Sequence, residues 1–265
     1  MSDSILRAKE INIVFGGLKA VSDFSCELRS GELVGLIGPN GAGKTTVFNM
    51  LSGIYQPTSG SISYTDGKGA EHRIEGMESH TIAKAGIART FQNIRLFKEL
   101  SVLDNVRIAM HNRVRYTAAG AVLRTKRYYE EERRIEEKSM ELLSLFKIAE
   151  KKAELSANLP YGEQRKLEIV RALAGDPQLL LLDEPAAGMN PQETNALMAL
   201  ISFIRERFSL TILLIEHDMN LVMGICERLV VLDYGKIIAE GLPSDIKRDP
   251  AVIKAYLGEE AVFDA

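Results

Sequence analysis

Cysteine is scarce in this 265-residue chain. Cys26 and Cys226 stand far apart, match no metal-ligand spacing and fall within patterns of a strand face and a helix face, so a reducing cytosol is the expected setting. Long apolar runs are missing. None approaches the roughly 20 residues that cross a bilayer, so any membrane is expected to be reached through a partner. The opening Met1-Ser2-Asp3-Ser4 has neither the basic nor the apolar region of a signal peptide. One-sided charge is missing too: the formal net charge of −3 lacks the broad basic field that nucleic-acid binding needs. No nucleic-acid partner is expected, and any bound phosphate must be held locally. No internal repeat or low-complexity tract is found, so a tandem duplication is not expected.

What is present is an alternation of short apolar runs and helical patterns. Residues 32–37, 179–182, 211–215 and 229–232 are the kind of continuous apolar segment that forms buried parallel strands. Helix-period patterns follow at 44–52, 191–208 and 219–226, which predicts an α/β fold with helical crossovers. From about residue 101 to 174 the patterns are helical without a convincing strand. We therefore expect one unit over 1–265, with a nucleotide-binding core of residues 1–95 and 175–265 and a helical subdomain over about 96–174. Within the helical part, residues 113–127 carry Arg113, Arg115, Arg124, Lys126 and Arg127 and no acidic residue. That stretch, with the pattern at 128–146, reads either as a solvated loop and surface helix or as a face for a partner or lipid headgroups.

Gly38-Pro39-Asn40-Gly41-Ala42-Gly43-Lys44-Thr45 fits the Walker A pattern in its required context, after an apolar strand and before a helix. Glycines keep side chains away, so that successive backbone N–H groups can surround a β-phosphate at the positive end of the helix. Lys44 is the point charge for the β- and γ-phosphates, Thr45 offers a hydroxyl to Mg²⁺, and Thr46 is placed for the α-phosphate. ATP and Mg²⁺ are thus the expected cofactors.

Leu179-Leu180-Leu181-Leu182-Asp183-Glu184 is an apolar strand ending in two carboxylates, the form of a Walker B element, and such strand ends are where α/β sheets bind ligands. Asp183 is expected to hold Mg²⁺ through a coordinated water. Glu184, pointing elsewhere on the pleat, is expected to polarise the attacking water as general base. A second strand leads to Glu216-His217, which brings the His217 imidazole to the same sheet edge.

The order of Walker A, a glutamine loop, a signature helix, Walker B and a switch histidine resembles the ATP-binding cassette (ABC) ATPases over essentially the whole chain, which implies a P-loop core with an N-terminal β-rich part and an inserted helical subdomain. The resemblance implies that Gln92, in Arg89-Thr90-Phe91-Gln92-Asn93, meets Mg²⁺, and that Phe15 stacks on adenine. Leu159-Pro160-Tyr161-Gly162-Glu163-Gln164 stands at the signature position, before a helix expected over 165–174. It departs from the family pattern: Pro160 replaces a serine and Tyr161 a glycine. The remaining anion site there is the backbone around Gly162. Asn190 stands where an aspartate is usual in the dimer-contact loop, and it also suits a helix N-cap before Pro191.

The LPYG signature, Ala187-Gly188-Met189-Asn190, Phe15-Gly16-Gly17-Leu18 and Ala255-Tyr256-Leu257-Gly258-Glu259 resemble the ATPases of branched-chain amino acid importers. That resemblance implies a peripheral ATPase at the cytoplasmic face of the inner membrane. Its partners would be two integral membrane permeases, a second ATPase or a second copy of itself, and indirectly an external substrate-binding protein. A lipid- or lipopolysaccharide-exporting ATPase and a soluble ABC protein are the alternatives.

Overall fold

In a computed structural model, the described residues are 4–111, 114 and 116–257. The chain opens with strands β1 (Ser4–Phe15), β2 (Leu18–Arg29) and β3 (Leu33–Ile37), helix α1 (Lys44–Leu51), strands β4 (Ser59–Thr65) and β5 (Glu71–Arg73), helix α2 (Ser79–Ala85) and strand β6 (Ile87–Arg89). Four helices follow: α3 (Val102–Met110), α4 (Ala118–Val122), α5 (Lys126–Leu145) and α6 (Tyr161–Ala174). The chain then adds β7 (Leu179–Asp183), α7 (Pro191–Phe208), β8 (Thr211–Ile215), α8 (Met219–Ile225), β9 (Arg228–Asp233), β10 (Lys236–Gly241), α9 (Pro243–Ile246) and α10 (Pro250–Leu257). Two compact units result, one of residues 1–92 with 178–265 and one of residues 93–177.

The first unit holds two sheets. Strands in the order β10-β9-β3-β8-β7-β6 form the larger one, parallel except for the antiparallel edge strand β10. All five residues of β3, of β7 and of β8 are buried, as expected of central parallel strands covered on both faces. Register fixes the site: Leu36 lies beside Ile215, and Ile215 beside Asp183. The C-terminal ends of β3, β7 and β8 therefore open at one edge. The smaller antiparallel sheet, β2-β1-β4-β5, alternates buried and exposed residues along β2. Between the sheets, Phe24, Leu28, Ile62 and Tyr64 share one core with Val47, Phe48 and Leu51 of α1 and with Leu179, Leu181 and Leu213. Each such buried side chain contributes about 1.5–3 kcal/mol, so the helix that follows the glycine loop is firmly anchored.

The helical unit is organised by buried polar groups. Asn105 is fully buried, and its amide donates to the carbonyls of Phe97 and Ser101, both at 3.0 Å. Helix α6 starts four residues earlier than expected, at Tyr161. Pro160 takes the N-cap with extended backbone, and its carbonyl accepts from the N–H groups of Glu163 and Gln164, both at 3.0 Å. A residue without an N–H loses nothing at that position, so Tyr161 and Gly162 lie inside the first turn. Arg113 and Arg115 of the basic stretch, and Gly258 and Glu259 of the C-terminal motif, lie outside the described residues.

Asn190 caps α7. Its Oδ1 accepts from the Glu193 N–H at 3.0 Å, while the Glu193 carboxylate accepts from the Asn190 N–H at 3.0 Å, a complete capping box. Asn190→Ala is expected to lower unfolding stability by about 1 kcal/mol, while Asn190→Asp holds it. Denaturant titration of the two variants checks this, and equal midpoints would remove the cap's importance.

Candidate nucleotide site

The loop between β3 and α1 is shaped by close backbone approach. Gly38 has φ 147°, and a Cβ there would fall 2.0 Å from the Leu232 carbonyl oxygen, which no other residue survives. At Gly41, with φ 80°, a Cβ would meet nothing within 4 Å. That side of the loop is open, as a cradle for a ligand needs. Lys44 is only 6% exposed. Its Nζ donates to the carbonyls of Gly38 at 2.7 Å and Pro39 at 2.8 Å. Burial lowers its pKa, opposed by the Glu184 and Asp183 carboxylates. The ammonium thus braces the loop from within while remaining in the field of both acids. Residues 40–46, with Glu184 and His217, line a pocket of about 190 Å³. Asn40, Gly41, Ala42, Gly43, Lys44, Thr45 and Thr46 are therefore brought together with two of the residues singled out from other parts of the chain.

The acidic pair is arranged differently from the expected pleat alternation. Strand β7 ends at Asp183, and Glu184 turns out of the strand with φ 47°, its N–H donating to the Ile215 carbonyl at 2.9 Å. A left-handed backbone at a glutamate is costly and is held by its surroundings. The result puts Glu184 between two partners. Gln92 Nε2 donates to Oε2 at 2.7 Å, and His217 Nε2 lies 2.6 Å from Oε1. The carboxylate reaches the pocket wall oriented at both oxygens.

Beneath this pair, Glu216 is buried, and desolvation raises its pKa against several backbone donors. Its carboxylate accepts from the N–H groups of Ala186 at 2.7 Å and His217 at 3.1 Å, tying the segment after Walker B to the histidine. Asp183 is held by Arg89, whose Nη2 donates to Oδ2 at 2.7 Å. No role was expected of Arg89, or of Glu216 beyond its place before the histidine. The sequence carries one signal for Arg89, its place three residues before Gln92; that it ends a strand beside the acidic one is seen only in the fold.

Phe15 is 44% exposed and meets Tyr55 edge-on, with ring centroids 5.2 Å apart. It is a surface platform, not core packing, and Tyr55 is its unanticipated support. In the helical unit, Tyr161 and Gly162 sit on the first turn of α6, where backbone N–H groups are not used by the helix. The Tyr161 hydroxyl accepts from Arg165 Nη2 at 3.2 Å. Arg165 is fully buried on Glu168, at 2.7 Å, so the tyrosine in place of glycine is fastened to its own helix. Among the described residues, no group of three His, Cys, Asp or Glu side chains is arranged to hold a metal. The hydroxyl of Thr45, the amide of Gln92 and the carboxylate of Asp183 are the oxygen donors singled out for one.

Comparison with known proteins places this geometry. The ABC transporter family model matches residues 21–187, and the model for the branched-chain amino acid ATP-binding cassette transporter matches residues 236–262. The high-affinity branched-chain amino acid transport ATP-binding protein LivG of Salmonella typhimurium is 44% identical over 259 residues, covering 98% of this chain and all of the relative. The lipopolysaccharide export system ATP-binding protein LptB of Escherichia coli is 35% identical over 255 residues, covering 96% of this chain and 98% of that one. A crystal structure of an ATP-binding cassette of an ABC transporter in its ADP conformation superposes with a TM-score of 0.82 at 29% identity, covering 97% of this chain and 99% of that one. The family model spans well over half of the chain, and the relatives and the fold agree over nearly all of it, so this chain belongs to the ABC transporter family of ATP-binding cassettes and is an ABC ATPase that binds ATP.

Proposed function

We propose that this ATPase energises the import of branched-chain amino acids. The observation that carries the reading is the 44% identity over 259 residues to a protein named for branched-chain amino acid transport, against 35% for the lipopolysaccharide-export ATPase. The match of residues 236–262 to the branched-chain transporter model supports the same choice. No helix among the described residues is long and apolar enough to cross a membrane. Transport then requires two integral membrane permeases, against which this chain works from the cytoplasmic face of the inner membrane. An external substrate-binding protein delivers the amino acid.

Within the site, the loop of Gly38, Asn40, Gly41, Ala42 and Gly43 with Lys44 and Thr46 holds the phosphates, and Phe15 holds the adenine. Thr45, Gln92 and Asp183 would hold Mg²⁺, a cation that takes few carboxylates and completes its shell with water and phosphate oxygens; when bound, it neutralises charge on the β- and γ-phosphates. Glu184 takes the proton of the attacking water, and His217 orients it at one carboxylate oxygen while Gln92 holds the other. Tyr161 and Gly162 present the start of α6 to a γ-phosphate delivered by a second ATPase subunit, either another copy or a related chain. ATP binds the closed pair better than the open one, and that difference drives the permeases.

Affinity purification of the tagged chain from detergent-solubilised native membranes, with its stoichiometric companions identified by mass spectrometry, tests this. Two multi-spanning permeases are expected, together with either a related ATPase or a second copy of this one. Recovery of lipid-export components, or of no membrane protein, would overturn the import reading while leaving the nucleotide chemistry in place.

A further inference from the structure

Arg89 ends the three-residue strand β6, which pairs in parallel with β7 so that Arg89 lies beside Leu181. Its side chain is 6% exposed and that of Asp183 3%. From this buried position the guanidinium forks. One nitrogen, Nη2, donates to Asp183 Oδ2 at 2.7 Å; the other, Nη1, donates to Asn49 Oδ1 at 2.8 Å and Ser52 Oγ at 2.9 Å at the far end of α1. The guanidinium carbon also lies over two aromatic rings, 5.5 Å from the Phe48 ring centre and 4.9 Å from that of Phe91. The Asp183 backbone N–H donates to Thr90 Oγ1 at 3.3 Å. Arg89 and Thr90 therefore both hold Asp183, Phe91 lies under the Arg89 guanidinium, and the next residue is Gln92, on Glu184.

We propose that Arg89 is the positioning residue of the Walker B aspartate: it sets the orientation and the net charge with which Asp183 serves the metal of a bound nucleotide, and it ties that carboxylate to the P-loop helix and to the strand leading into the glutamine loop. The proposal rests on the reading of Asp183 as the metal's carboxylate. Its chemistry follows from the pairing. A buried carboxylate without a cation is strongly disfavoured, and one fully neutralised by a guanidinium is a weak direct ligand. It still accepts a hydrogen bond from metal-bound water, and Mg²⁺ keeps several waters. Only arginine supplies the fork. Lysine would keep the charge but is a compact point donor on a flexible stem, unable to bridge Asp183, Asn49 and Ser52 from one position over the two rings.

The test uses the full chain and a fluorescent ATP analogue, titrated in EDTA and then at rising Mg²⁺, for the parent, Arg89→Lys, Asn49→Ala and Asp183→Asn. Thermal melts of each establish that the variant is folded. For Arg89→Lys, affinity in EDTA is expected to stay within about twofold of the parent, while the Mg²⁺ concentration giving half of the affinity gain rises about tenfold, the scale of losing a partner that orients a metal ligand. Asn49→Ala is expected to move the same midpoint by less, and each shift is read without any hydrolysis. A buried pair that serves stability alone would lower the melting temperature of Arg89→Lys and leave the Mg²⁺ midpoint in place. Midpoints unchanged in both Arg89→Lys and Asn49→Ala, with Asp183→Asn shifted, would overturn the role of Arg89. An unchanged midpoint in Asp183→Asn would instead overturn the reading of Asp183 on which it rests.

Discussion

Glu184→Gln is expected to bind ATP as the parent does and to hydrolyse it roughly 10²-fold or more slowly, the scale of a lost general base. The two side chains have the same shape, so the pocket wall formed by Glu184 and His217 stays in place. What changes is the chemistry. An amide accepts no proton from water, and it offers a single acceptor oxygen where the carboxylate now takes His217 at 2.6 Å and Gln92 at 2.7 Å. Nucleotide affinity and single-turnover hydrolysis, measured on the same preparation, separate the two effects. Hydrolysis near the parent rate would remove Glu184 from its assigned role, and a large loss of affinity would mean that it shapes the site instead of acting on water.

Lys44→Ala is the complementary case, in which binding itself is lost. The Lys44 ammonium is buried on the Gly38 and Pro39 carbonyls, and removing it leaves a negatively charged ligand facing two carboxylates without the nearest cation. A charge-assisted contact of this kind is worth about 1.5–3 kcal/mol, or roughly 10- to 100-fold in affinity. Fluorescent-nucleotide titration of parent and variant reads it directly, and matching affinities would place the phosphates away from this lysine.

The sequence made the central strands legible because their burial on both faces leaves an uninterrupted apolar record: residues 211–215 were expected as a strand, and β8 is Thr211–Ile215. The glycine loop was legible for a related reason, since its backbone demands leave few residue choices. Contacts that depend on three-dimensional approach were not. Nothing in the pattern around Arg89 says that its guanidinium crosses to Asp183, 94 positions away. The turn of Glu184 out of the pleat was hidden too, because glutamate is not a residue that announces a left-handed backbone. The start of α6 is masked in the sequence by Pro160 and Gly162, two residues that weaken helices in their interior but are harmless in the N-cap and first turn.

The strand that leads into the glycine loop has a consequence for the order in which the protein can assemble. Residues 33–37 find their two neighbours only at residues 211–215 and 228–233. During synthesis, this apolar segment remains unpaired on both edges until residues 211–233 have followed it out of the ribosome. Long-range parallel pairing of this kind is slow to form and leaves sticky edges exposed meanwhile. The ATP pocket thus cannot be completed before those residues are made, and a chain truncated before residue 228 would lack one of the two rails that hold its phosphate loop.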